Sequence, residues 1–150
     1  MPAMFRWCHR PRGQALAEFA IVFPVLMLIM GGVIQFGIIF WAQNTLTQIA
    51  RDTGRWASTQ KICPTSATVV PTANSIAGQS SLIGYAAGSW TAPANVVVVL
   101  SGDPCPVASN AKVAFVTVTI KHQVPIFFPF VPGNGSLSTS AQFRMEPTTP

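Results

Sequence analysis

The stretch Gly13-Gln-Ala-Leu-Ala-Glu18-Phe19-Ala-Ile-Val-Phe-Pro-Val-Leu26 decides the fold. A single carboxylate, Glu18, stands at its threshold, and from Phe19 to Ala42 the chain runs 24 residues without a formal charge. A helix needs about 20 apolar residues to cross a bilayer, so a membrane span is predicted over about residues 19–42. Pro24, Gly31, Gly32 and Gly37 are tolerated in such a helix, and the amide of Gln35 costs far less there than a charge. A buried core helix is the competing reading, but the rest of the chain is too short to wrap one on every face. A cleaved secretory signal would have a shorter apolar region ending at small residues. Here the exit reads Phe40-Trp41-Ala42-Gln43.

Upstream of the span, residues 1–13 form a short basic leader with Arg6, Arg10 and Arg12. Positive charge on that side predicts a cytoplasmic N-terminus, with the C-terminal part outside the inner membrane. Downstream, Leu46, Ile49, Ala50, Thr53, Trp56 and Ala57 recur at spacings of three and four, an apolar helical stripe. One helix is therefore expected over residues 14–60, about 70 Å long at 1.5 Å per residue, with Pro64 as its latest stop.

Residues 61–150 read as an exported domain. Residues 62–75 are rich in Ser, Thr and Pro and read as loop; Asn74 or Ser75 is expected to cap a short helix through Tyr85. Val96 to Val99 is a β-branched run. Lys112–Lys121 alternates, with Ala114, Val116, Val118 and Ile120 on one face, and so does Ser136–Met145. Between them, Pro125–Pro132 is an apolar loop punctuated by proline, expected to fold over the sheet as core rather than serve as a binding patch. The fold class is α+β: a long N-terminal transmembrane helix continues into a periplasmic helix packed on an antiparallel sheet of about three strands.

Charged residues are 9% of the chain, against about 25% in soluble proteins. The net charge of +5 is scattered, with no basic stripe interleaved with aromatics, so nucleic acid is not an expected partner. Nor is a small-molecule substrate, a cofactor or catalysis expected. The exported part carries only Asp52, Asp103, Glu146 and one histidine, His122, with no acids paired in sequence and no Gly-x-Ser-x-Gly elbow. Cys8 lies in the leader; Cys63 and Cys105, each beside proline, lie in the exported part. Two thiols in an oxidising compartment suggest a disulfide, worth about 4 kcal/mol on the chain-entropy model, and fall short of a metal site.

Glu18 needs a partner if it enters low dielectric. Cutting the Gly13–Gln14 bond would create one, the α-amino group of Gln14, on the same chain or on a neighbour. The alternative is that Glu18 rests in the headgroup region near Arg12. Local chemistry leaves both open.

Gly13-Gln-Ala-Leu-Ala-Glu18-Phe19 resembles the cleavage motif of type IV prepilins, in the form found in tight-adherence (Tad/Flp) pilus systems. The run to Leu26 resembles the start of TadE-like pseudopilins, as do Gln35-Phe-Gly37 and Ile49-Ala-Arg-Asp-Thr-Gly-Arg-Trp-Ala57, and more faintly Ser140-Ala-Gln-Phe-Arg-Met-Glu-Pro147. The resemblance implies cleavage between Gly13 and Gln14 by a membrane prepilin peptidase, and a need for Glu18 in maturation or assembly. It also implies a minor-pilin role, with other pilins, pseudopilins and the inner-membrane assembly platform as partners. Phe19 stands where major pilins of these systems usually have Tyr, and Asp52-Thr53-Gly54 where Glu-Gly-Ala is more usual. The other function class is an uncleaved, signal-anchored envelope protein whose exported domain binds a partner; it needs neither cleavage at Gly13 nor Glu18.

Overall fold

The computed structural model describes residues 13–60, 63–102, 114–128 and 135–145. Helix α1 runs Gln14–Ser58, helix α2 Ser66–Gln79, and three strands follow, β1 Val96–Ser101, β2 Phe115–Gln123 and β3 Ser136–Arg144. The sheet is antiparallel with β2 in the centre. This is the expected α+β architecture, with a helix long and apolar enough to cross a membrane.

α1 ends at Ser58, ahead of Pro64, because hydroxyls take over its last carbonyls. Ser58 Oγ donates to the Arg55 carbonyl at 2.8 Å and Thr59 Oγ1 to that of Trp56 at 2.9 Å, satisfying acceptors that a helix end leaves open. The two halves of α1 differ sharply. Residues 14–30 are exposed throughout, whereas Ala42, Leu46, Ile49, Ala50, Thr53, Gly54 and Ala57 are buried on the domain. Leu46 and Ile49 are almost wholly enclosed, each contributing about 1.5–3 kcal/mol of burial.

The sheet meets this stripe through alternate residues of β2. Val116, Val118 and Ile120 face inward, flanked by Val98 and Val96 of β1 and by Phe143, Ala141 and Thr139 of β3. Gly54 is where β3 comes closest: a Cβ there would lie 2.7 Å from the ring of Phe143. Thr53 sits beside it, fully buried, and its hydroxyl has no hydrogen-bond partner among the described residues. A buried hydroxyl without a partner is costly, and valine keeps the shape. Thr53→Val is therefore expected to stabilise the chain by about 1 kcal/mol, read as a raised unfolding temperature in detergent.

The second helix departs from the sequence expectation. It starts at Ser66, not near Asn74, because Thr65 and Thr68 form a reciprocal capping box. Pro71 lies inside it, and residues expected to continue the helix to Tyr85 form turns instead. Asn74 organises them: its side chain bonds both the N–H and the carbonyl of Trp90, and accepts from the Tyr85 hydroxyl. Ser66 Oγ accepts from the Val98 N–H at 2.9 Å, tying α2 to β1.

Candidate processing and assembly site

Gly13 is the N-cap of α1, at φ −90° and ψ −23°, and its carbonyl accepts from the Ala17 N–H at 3.2 Å. That backbone conformation is open to any L-residue. A Cβ at Gly13 would meet nothing within 4 Å. Among the described residues the fold therefore places no steric or conformational demand for glycine at the helix start.

Helical structure begins at Gln14, so Glu18 lies one turn above it on the same face. The Gln14 side-chain amide donates to Glu18 Oε1 at 3.1 Å, and both residues are exposed. Cutting before Gln14 would place an α-amine at the helix N-terminus, one turn and about 6 Å of rise from the carboxylate. Phe19 is exposed and stacks on Phe23, with ring centroids 5.2 Å apart. The junction thus presents a carboxylate, an amide and two aromatic rings outward, exposed among the described residues.

A second polar feature of the apolar segment has a different fate. Gln35 is fully buried. Its Nε2 donates to the Pro125 carbonyl at 3.2 Å, and its Oε1 accepts from the Phe127 N–H at 2.9 Å. One turn below, the ring of Phe128 lies directly on Gly31, where a Cβ would sit 2.6 Å from ring carbons. The loop after β2 therefore docks on α1 inside the predicted span, rather than folding over the sheet. Phe127 is 62% exposed; Phe130 lies outside the described residues. The sequence marks Gln35 as a polar interruption and as part of the Gln35-Phe-Gly37 resemblance, but names no partner for its amide. The signal that would have exposed it is a small residue and an amide at i and i+4 in an apolar run, since a buried amide needs partners.

Nothing catalytic assembles among the described residues. His122 is buried, donating from Nε2 to the Ile83 carbonyl at 2.8 Å and accepting at Nδ1 from the Trp90 indole N–H at 3.4 Å. Both ring nitrogens are occupied by structural bonds. An open cleft of about 390 Å³ between α1 and α2, lined by Thr45, Gln48, Asp52, Ile76 and Gln79, holds one carboxylate. No group of three metal-ligating side chains occurs among the described residues. Cys63 is half-buried between α1 and α2. Cys105, Asp103 and the leader with Cys8 lie outside the described residues.

Residues 13–55 match the family model described as TadE-like protein. The match begins at Gly13 and covers the exposed half of α1 and most of the stripe, less than a third of the chain. No curated protein and no solved structure matches the chain.

Proposed function

We propose that this chain, TadE-like over residues 13–55, is a minor pilin of a tight-adherence pilus. A prepilin peptidase cleaves it between Gly13 and Gln14, and α1 then anchors it in the inner membrane with its C-terminal domain outside. From there it joins other pilins or pseudopilins through the assembly platform. The observation that carries this reading is the junction itself. The family match starts at Gly13, where a Cβ would meet nothing within 4 Å among the described residues. A glycine unneeded by its own chain fits a demand made by an enzyme that must approach the backbone closely. The new α-amine of Gln14 is the cation that Glu18 pairs with, across subunits, when apolar helices pack side by side. The role is structural rather than enzymatic, and Cys63 pairs with Cys105 to brace the exported domain.

The test is the N-terminus and intact mass of the membrane-extracted protein from cells with and without the host prepilin peptidase. Expected is a chain that starts at Gln14 only when the peptidase is present, lighter by two further hydrogens for the Cys63–Cys105 bridge. The same unprocessed N-terminus in both cells would establish a permanently anchored envelope protein instead.

A further inference from the structure

We propose that the loop at Pro125–Phe128 is a second membrane contact: it lies in the outer leaflet beside α1, and phospholipid acyl chains cover Phe127. This rests on the membrane-anchoring part of the function proposed above and goes beyond it.

Depth is the first argument. The loop is bonded to Gln35 and packed on Gly31, both within the uncharged run that ends at Ala42. Counted along the helix, those positions lie about 10 and about 16 Å below Ala42. If α1 spans the bilayer, the loop cannot clear it.

The chemistry of the loop meets the demand of that depth. Irregular backbone in hydrocarbon is tolerated only when its polar groups are satisfied within the protein. Val124–Pro132 contains no polar side chain, and three of its residues are prolines without an N–H to satisfy. The Val124 N–H bonds the Gly135 carbonyl at 2.9 Å. Gln35 takes the Pro125 carbonyl and the Phe127 N–H with its two amide ends. The one amide in the span thus serves two of the loop's backbone groups at once.

Continuity identifies the occupant as lipid. Phe128 forms, with Pro24, Met27 and Leu28, an open apolar groove of about 340 Å³. Three of its four walls belong to the exposed part of the span, so the surface around Phe128 continues the surface that meets acyl chains.

The experiment uses the full chain in phosphatidylethanolamine–phosphatidylglycerol vesicles that contain a lipid with a diazirine on its acyl chain. Adducts are mapped by mass spectrometry after irradiation. Adducts are expected on residues 19–30 and on 125–128. None is expected on Val99 and Leu100, which are exposed and apolar but lie at the far end of the sheet. Adducts confined to 19–30 would overturn the proposal and leave the membrane anchor standing. Stronger labelling of 125–128 by a headgroup diazirine, or cross-links from 125–128 to a second copy of the chain, would overturn it as well. Absence of adducts from both segments would overturn the membrane reading and the loop contact with it.

Discussion

If the chain is the minor pilin proposed above, replacing Glu18 with alanine is expected to leave it in the membrane and remove it from the pilus. Among the described residues nothing depends on this side chain: it is exposed, and it accepts from the Gln14 amide, an i,i+4 surface pair worth a few tenths of a kcal/mol. Alanine is the best helix former and lowers the cost of insertion. The loss is expected at assembly. Between packed helices the dielectric would be low, and the α-amine that the proposed cleavage creates at Gln14, stripped of its carboxylate, would be a buried charge without compensation. Incorporation is expected to fall by roughly two orders of magnitude or more, with membrane levels unchanged. Glu18→Gln, which keeps the hydrogen-bonding shape without the charge, should fail in the same way. Immunoblots of sheared pili against membrane fractions read both. Wild-type piliation with the alanine variant incorporated would remove the basis for a Glu18 pair.

The second large effect lies at Gln35. Leucine fits the apolar surroundings but strands the Pro125 carbonyl and the Phe127 N–H, which the amide now serves together. Unsatisfied buried backbone groups cost about 1–3 kcal/mol each, so Gln35→Leu is expected to release the loop from α1. Hydrogen exchange should show the Phe127 amide losing protection, while amides of β2 beyond Ile120 toward β1 keep theirs. The same change at Val33, which is exposed, should do nothing. Unchanged Phe127 protection in Gln35→Leu would mean that packing of Phe128 on Gly31 alone holds the loop.

How much of this was legible differs from element to element, for physical reasons. The span needed only a count of uncharged residues, and the stripe from Leu46 to Ala57 only helical spacing; both are local properties. Strands β2 and β3 were equally readable, because burial of one face writes an alternation into the sequence: Ala114, Val116, Val118 and Ile120 are all buried. α2 was misplaced because Pro71 and a Ser/Thr-rich composition suggest a loop, although the Thr65–Thr68 pair that starts the helix was in plain view. The docking of Phe128 and Gln35 joins residues more than 90 positions apart, and no local pattern encodes such a pairing. At the junction, Gly13, Gln14, Glu18 and Phe19 were legible as a motif, whereas only the three-dimensional structure reveals that Gly13 meets no steric or conformational demand from the described residues.

Pro24 gives the molecule a mechanical asymmetry. A proline inside a helix removes one rung of the hydrogen-bond ladder and invites a bend, and this one lies seven residues before the first aromatic anchor at Gly31. Above it, two rings clamp the rod: Phe128 at Gly31 and Phe143 at Gly54, about 35 Å apart along the axis. Both clamps lie on the domain side of Pro24, so a bend at that proline would fall below them, in the three turns that carry Glu18 and Phe19, and would leave the contacts between α1 and the domain untouched.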